Sequence, residues 1–126
     1  MKNKNKYWIS AGIISAITFI IHLTLGQVDL VNPLLESELT TQVKTEFLAV
    51  WHMVSIVLLA TAFLYIYKGV KNFTSSITIC LLSNLYLGFG VIFILSGIYF
   101  SIFVPQWILL IPIGILGLVG IKKHSL

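Results

Sequence analysis

Two histidines lie inside apolar stretches of the chain, and they are its strongest candidates for chemistry. His22 lies about one helical turn before one apolar run ends, and His52 lies slightly more than one turn into the next. If these runs form antiparallel helices, both imidazoles lie roughly 6–8 Å below the same membrane surface. Two imidazoles at one level can bind a metal ion, ligate a haem iron from both sides or relay protons.

A structural role for the histidines is the main alternative. A neutral imidazole is the ionisable side chain that is easiest to bury, and it can hydrogen-bond to Thr18, Ser55 or nearby acids. Two histidines do not complete a tetrahedral zinc site, so a metal ion would need a further ligand such as Asp29 or Glu46. The sequence therefore leaves open a structural pair, a haem or transition-metal site, and proton or substrate handling, and the cofactor stays unknown.

The composition is that of a membrane protein. Hydrophobic residues make up 58% of the chain, charged residues make up 10%, and the mean hydropathy is +1.01, unlike a soluble domain. The net charge of +4 does not indicate nucleic-acid binding, because the lysines are scattered and no arginine is present. The single Cys80 allows no internal disulfide. Known catalytic motifs such as H-E-x-x-H and G-x-S-x-G are absent, so the sequence favours a protein that is not an enzyme.

Four apolar segments predict four membrane-spanning helices. They cover residues 7–25, 47–67, 73–95 and 104–121, each near the length that crosses a bilayer. Pro105 suits a first helical position, and Pro112 predicts a kink inside the last helix. The predicted fold is all-α: an integral membrane antiparallel four-helix bundle that forms one transmembrane domain over residues 1–126.

The charges predict the orientation of this bundle. All acidic residues lie in the acidic loop 26–46, whereas every lysine except Lys44 flanks the opposite ends of the apolar segments. Lysines beside a spanning segment stay on the cytoplasmic side of the membrane. We therefore expect a protein of the cell membrane with both termini in the cytoplasm and the acidic loop on the outer side. Asn32 and Pro33 predict a short helix within that loop, and Thr40 or Thr41 predicts an N-cap.

One alternative reduces the number of spans. The first segment, with lysines before an apolar core and small residues after it, also fits a cleaved signal peptide. Its apolar core is longer than is usual for such peptides, and no A-x-A pattern follows it. We therefore expect it to remain as the first helix.

Each predicted helix carries a stripe of small or polar residues. The four stripes are Ala11, Ser15, Thr18 and His22; His52, Ser55, Leu59 and Ala62; Ser76, Cys80, Asn84 and Gly88; and Gln106, Leu110, Gly114 and Gly117, with Gly120 beside the last. Spacings of three and four place each set on one helix face, and small residues let helices approach closely in lipid. We expect the stripes to meet in the interior, with the glycines packing and Asn84 bonding to a neighbouring helix.

Aromatic residues are concentrated near the predicted membrane surfaces. Tyr7, Trp8, Tyr65 and Tyr67 fall at the cytoplasmic side, and Trp51, Tyr99 and Trp107 fall at the outer side. The outer set, together with Gln106, could line a vestibule in which a histidine acts as a general base on a lipid or quinone. An ordinary interfacial belt of aromatic residues is the alternative.

Three short patterns in the first half of the chain carry a resemblance. They are H-L-x-L-G from His22 to Gly26, P-L-L from Pro33 to Leu35, and W-H at Trp51 and His52. This half resembles a group of small bacterial four-span membrane proteins without an assigned function. The resemblance implies that His22 and His52 belong to one architectural unit of a bacterial inner-membrane protein, and it implies no catalytic residue.

Three functions follow from these features. The first is an accessory or structural subunit that packs in the lipid bilayer against a larger membrane-protein partner or against itself. The second is a redox protein that binds haem or a metal through His22 and His52. The third is a lipid- or quinone-handling membrane enzyme.

Overall fold

The computed structural model describes residues 4–71 and 77–124, and all regular structure within them is helical. The elements in chain order are α1 (Lys6–Gly26), a π-helical segment (Gln27–Val31), α2 (Asn32–Glu36), α3 (Thr41–Lys71), α4 (Ile77–Phe100) and α5 (Trp107–His124). Within these two ranges, three stretches are long and apolar enough to cross a membrane: Lys6–Glu36, Thr41–Lys71 and Ile77–Phe100. The prediction of an all-helical bundle is confirmed for the described residues.

The acidic loop 26–46 is helical over most of its length. The predicted short helix is present as α2, but Asn32 lies within a continuous run of helix and is not its N-cap. The helix continues from Gly26 through the π-helical segment to Glu36, and the Asn32 N–H donates to the Gln27 carbonyl. The ring of Pro33 would clash with the carbonyl four residues earlier in a regular α-helix. The wider π turn directly before it accommodates the ring and lets the helix continue.

The second long helix begins at Thr41, six residues before the predicted start at 47, and ends at Lys71 instead of 67. The Thr40 Oγ1 accepts a hydrogen bond from the Val43 N–H at 3.4 Å, as the predicted N-cap should. Thr40 is therefore the cap, and α3 extends beyond the apolar segment at both ends.

The fourth predicted helix begins later than the sequence suggested. α5 starts at Trp107, because Pro105 and Gln106 form a turn in which the Pro105 carbonyl accepts from the Ile108 N–H at 3.0 Å. Pro105 thus precedes the helix instead of opening it, and Pro112 lies inside it as predicted. The predicted start of the third helix at 73 falls outside the described residues.

α4 extends to Phe100, five residues beyond the predicted end, because a specific cap stops it there. Ser101 has a φ of 54°, in the left-handed region. Its N–H donates to the Ile98 carbonyl at 3.2 Å, and the Ile102 N–H donates to the Gly97 carbonyl at 3.0 Å. This pair of bonds is the Schellman arrangement that satisfies the last carbonyls of a helix.

The helices pack as a bundle in which α1 lies against α3 and α5, and α5 also lies against α4. Close approach depends on glycines. A Cβ added to Gly12 of α1 would lie 2.9 Å from the Ala62 carbonyl oxygen of α3, and one on Gly114 of α5 would lie 2.7 Å from the Ser83 carbonyl oxygen of α4. Backbones this close gain van der Waals contact that does not depend on water.

Asn5 joins three helices at the end of the bundle that holds Lys4, Lys68 and Lys122, which we call the lysine end. Its backbone N–H donates to the Gly69 carbonyl at 2.9 Å, and its side-chain Nδ2 donates to the Gly120 carbonyl at 2.9 Å. Its Oδ1 accepts from the Trp8 N–H and so caps α1. The opposite end, formed by residues 26–46, is the acidic end.

The distribution of apolar and polar side chains is the reverse of that in a soluble protein. Ser15 and Ser83 are completely buried, whereas Ile56 and Phe63 are each 68% exposed. Large aliphatic side chains cover the outside of every long helix. An exterior of this kind needs an apolar environment or another protein to cover it.

The left-handed conformation of Ser101 at the cap of α4 leads to a prediction about stability. A non-glycine residue in the left-handed region is strained, so Ser101→Gly should stabilise the protein by about 0.5–1 kcal/mol. The measurement is the thermal midpoint of the purified protein in detergent. Ser37→Gly is the matched control, because Ser37 has an ordinary φ of −70° and its Oγ donates to the Leu34 carbonyl. The control should lower the midpoint, and a decrease in both variants would contradict the proposed strain at Ser101.

Candidate functional site

His22 joins α1 to α3 near the acidic end. Its Nε2 lies 3.1 Å from the Trp51 carbonyl oxygen, and the two rings stack with centroids 3.8 Å apart and planes inclined by 18°. Gly26, one turn later, makes room for the indole, because a Cβ there would lie 2.6 Å from the Trp51 Cη2. A carbonyl can only accept, so Nε2 must carry the proton in this arrangement, and Nδ1 is the ring nitrogen that keeps a lone pair.

His52 lies next to Trp51 on α3, but its side chain is exposed. The indole of Trp51, which is buried, fills the interior at this level and lies against His22. The two imidazoles therefore do not face each other across the interior as the sequence analysis expected. Trp51 itself, predicted as an interfacial aromatic, is part of the α1–α3 contact.

The acids that could complete a metal site lie elsewhere. Asp29 and Glu46 are exposed, and the Glu46 carboxylate accepts from the Gln42 Nε2 at 2.9 Å. Within residues 4–71 and 77–124, no three side chains of His, Cys, Asp or Glu come together in a way that could hold a metal ion.

The polar residues predicted to support the histidines fall in different environments. The Ser55 Oγ donates to the Trp51 carbonyl at 3.1 Å and so shares an acceptor with His22. The Thr18 Oγ1 donates to the Ile14 carbonyl of its own helix at 2.8 Å. Gln106, at the turn before α5, has a buried Oε1 without a hydrogen-bond partner. Of these three, only Ser55 belongs to the histidine contact.

Asn84 does not bond to another helix of the same chain, where the sequence placed its partner. Its side chain is exposed, and its Nδ2 donates to the Cys80 carbonyl of its own helix at 2.9 Å. The residues of α4 that are buried are Ile79, Ser83, Tyr86 and Gly90. The inward face is thus rotated by about 100°, one residue, from the predicted stripe of Cys80, Asn84 and Gly88. Ser76, the fourth member of that stripe, falls outside the described residues.

α3 shows a similar difference. Ser55 and Ala62 are buried as predicted, but His52 is exposed and Leu59 is 53% exposed. The interior positions are taken by Trp51, Ser55, Leu58, Thr61, Ala62, Tyr65 and Gly69. Large side chains such as Trp51 and Tyr65 therefore take up interior space, although the Trp51 Nε1 is buried without a hydrogen-bond partner.

A cluster of hydroxyl groups lies at the centre of the bundle, and the sequence analysis did not identify it as a unit. We call Ser15, Thr61, Tyr65, Ser83 and Tyr86 the hydroxyl network. The Ser15 Oγ of α1 lies 3.1 Å from the Leu58 carbonyl oxygen and 2.9 Å from the Tyr86 hydroxyl of α4. The Thr61 Oγ1 of α3 donates to the same carbonyl at 3.1 Å and also contacts the Tyr86 hydroxyl. Three helices therefore meet at one set of hydrogen bonds.

Tyr65 and Ser83 form the second part of the network. Their hydroxyl oxygens are 3.0 Å apart, and Ser83 donates its proton to the Ile79 carbonyl at 2.6 Å. Because a serine has one hydroxyl proton, Tyr65 must be the donor to Ser83. By the same count, Ser15 and Thr61 donate to the Leu58 carbonyl, so Tyr86 donates to one of those two hydroxyls.

The glycines of α5 face this network and its surroundings. Gly117 lies against Ser83 and Tyr65, where a Cβ would come 2.9 Å from the tyrosine hydroxyl. Gly120 faces the Trp8 indole, and the Trp8 Nε1 donates to the Gly117 carbonyl at 3.1 Å. Together with Gly114, these glycines bring α5 into contact with α1 and α4.

A groove of about 440 Å³ lies between α4 and α5 at the acidic end. Its lining is almost wholly apolar and includes Phe93, Ile102 and Trp107, but no histidine. Tyr99 is 81% exposed and does not line it. Of the residues predicted to form an aromatic vestibule around a histidine base, this groove contains only Trp107.

Comparisons with known proteins add no family to this description. No protein-family model, no curated protein and no solved structure matches the chain. The resemblance to small bacterial four-span proteins thus stays a prediction.

The hydroxyl network predicts energetic coupling between α1 and α4. In a double-mutant cycle of Ser15→Ala and Tyr86→Phe, we expect a coupling of about 0.5–1.5 kcal/mol, the range of hydrogen bonds between membrane helices. The measurement is reversible unfolding in mixed detergent micelles. A second cycle pairs Tyr86→Phe with Thr18→Val, whose hydroxyl bonds only within α1, and should show no coupling. Equal coupling in both cycles would mean that the Ser15–Tyr86 bond is not specific.

Proposed function

We propose that this chain is a four-span integral protein of the bacterial cell membrane, with both termini in the cytoplasm, that serves as a non-catalytic accessory or structural subunit. The observation that carries the proposal is the use made of the interior polar groups. The hydroxyl network and His22 are engaged in joining helices to one another. The hydrogen bonds of these side chains therefore serve the assembly of the bundle.

Membrane insertion is supported by the reversed distribution of side chains. Backbone and hydroxyl groups must find partners inside the protein when the surroundings are hydrocarbon, which is the arrangement around Ser15 and Tyr86. The aliphatic exteriors of α1, α3 and α4 suit contact with lipid. α5, with eighteen residues, is shorter but long enough to cross beside three longer helices.

The orientation is supported by the separation of charge between the two ends. Asn5, Gly69 and Gly120 are hydrogen-bonded together, so the lysines that flank them belong to one end of the bundle. The acids lie at the other end, beyond α1 and at the start of α3. The positive-inside rule then assigns the lysine end to the cytoplasm.

A haem- or metal-binding redox function would require a different arrangement of the histidines. With Nε2 bonded to the Trp51 carbonyl, His22 could offer a metal ion only Nδ1, from a ring that stacks on the indole. His52 would have to turn from an exposed position toward it. A lipid- or quinone-handling enzyme has the groove between α4 and α5 in its favour, but that groove has no base in its lining.

The two histidines provide the test of a structural role. His22→Ala should lower the free energy of unfolding by about 1–2 kcal/mol, because a ring stack and an interhelical hydrogen bond are lost. His52→Ala is the matched control on an exposed side chain and should leave stability unchanged. The doubly substituted protein should still insert, purify and restore any phenotype of a deletion strain.

The same preparations separate this proposal from the redox alternative. We expect the purified protein to give no haem spectrum after titration with haem, and no bound transition metal by elemental analysis. A stoichiometric Soret band that disappears in both His22→Ala and His52→Ala would overturn the non-catalytic assignment.

A further inference from the structure

α4 lies at the edge of the bundle and exposes one complete face. Exposed residues follow one another at alternating spacings of four and three along the helix: Ile77, Leu81, Asn84, Gly88, Val91, Leu95 and Ile98. This is the heptad spacing of the a and d positions of a coiled coil, which keeps one seam directed at a partner helix. We call these residues the α4 seam.

Asn84 is the polar member of the α4 seam and lies away from both helix ends. Its Nδ2 donates to the Cys80 carbonyl at 2.9 Å and lies 3.5 Å from the Cys80 Sγ, a weak acceptor, whereas its carboxamide oxygen accepts no bond from the described residues of the protomer. In a hydrocarbon environment, an unused amide group is costly. A partner helix that offers a donor and an acceptor at this level would remove that cost.

Gly88, one turn after Asn84, leaves room for such a partner. A Cβ added there would have no atom within 4 Å, so the protomer itself does not require a glycine at this position. Gly90, two residues later, is different, because a Cβ there would lie 2.5 Å from the Ile111 side chain of α5. The open glycine lies on the seam, and the closed one faces the bundle.

We propose that the α4 seam is a self-association surface, at which α4 of a second copy of this chain packs in parallel about a two-fold axis normal to the membrane. The inference rests on the proposed membrane insertion, because copies inserted with one orientation can pair α4 only in parallel about such an axis. In that symmetry each a and d residue meets its own counterpart. A carboxamide is complementary to itself, and a single Asn among apolar seam residues fixes the register of such pairs.

A second copy fits this surface better than an unrelated helix. The seam offers a donor and an acceptor from one side chain and no net charge, so an identical side chain supplies both missing partners. Aliphatic residues on both sides of Asn84 continue the contact along the helix. Leu81 and Leu95 are 67% and 59% exposed in the protomer and would become buried.

Cysteine cross-linking in native membranes tests this proposal. In a Cys80→Ala background, single substitutions Leu81→Cys, Val91→Cys and Leu95→Cys should each give an oxidised dimer of twice the protomer mass. Phe63→Cys on α3 and Ile17→Cys on α1 are matched controls at exposed apolar positions off the seam, and they should give little dimer. Equal cross-linking at the controls, or none on the seam, would overturn the proposal.

Two further variants separate association from folding. Gly88→Ile should abolish the Leu81→Cys cross-link, because the added side chain fills the space for the partner, while the thermal midpoint of the monomer stays unchanged. Asn84→Leu should weaken dimerisation by about three- to tenfold in a detergent dilution series, whereas Thr24→Val, at another exposed polar residue, should not.

The outcomes distinguish this proposal from the one on which it rests. A cross-link that survives Gly88→Ile would overturn packing through the α4 seam, and a product whose mass shows a different protein would overturn self-pairing; both results would leave an accessory role standing. Failure of the chain to enter the membrane fraction would overturn the proposed function itself.

Discussion

The interior hydroxyl groups of this bundle must be satisfied by the chain itself, and the rest of the architecture depends on that constraint. Counting protons shows how it is met. Ser15 and Thr61 give their protons to the Leu58 carbonyl, Ser83 gives its proton to Ile79, and the two tyrosines donate to these hydroxyls. Each bond between side chains joins different helices. Such a network fixes how α1, α3 and α4 are rotated against one another.

Close approach of the helix backbones is the second condition for this network. The hydroxyls can reach across only because glycines bring the helices together, as Gly12 does for α1 against α3 and Gly114 does for α5 against α4. Helices in lipid gain nothing from excluding water, so packing and polar bonds must hold them. The protein combines close packing and polar bonds at neighbouring positions, and the functional proposals concern the described polar groups that lie outside this arrangement. Asn84 is one of them.

The sequence predicted the helices well and their rotation less well. Hydropathy and length located the long helices, and small residues at three- and four-residue spacing identified the buried Ala11, Ser15 and Gly117. The same rule failed on α4, because it placed Asn84 and Gly88 in the interior. A second rule, that aromatic residues lie at the membrane surfaces, failed for Tyr65 of α3, and no pattern in the sequence marked Tyr86. Tyr65 and Tyr86 are almost wholly buried, since each hydroxyl finds a serine or threonine on another helix. That matching depends on distances between helices, which no single helix's periodicity contains. The continuation of α1 past Pro33 was also missed, because a π turn leaves no signature in composition.

The claim that most needs a direct measurement is that the bundle spans the membrane with its lysine end inside. Single cysteines at Glu38 and Lys71, in a Cys80→Ala background, report the two ends with a membrane-impermeant maleimide. The account predicts labelling of Glu38→Cys in intact cells, and of Lys71→Cys only after permeabilisation. Labelling of Lys71→Cys in intact cells, or protection of Glu38→Cys until the cells are opened, would contradict it.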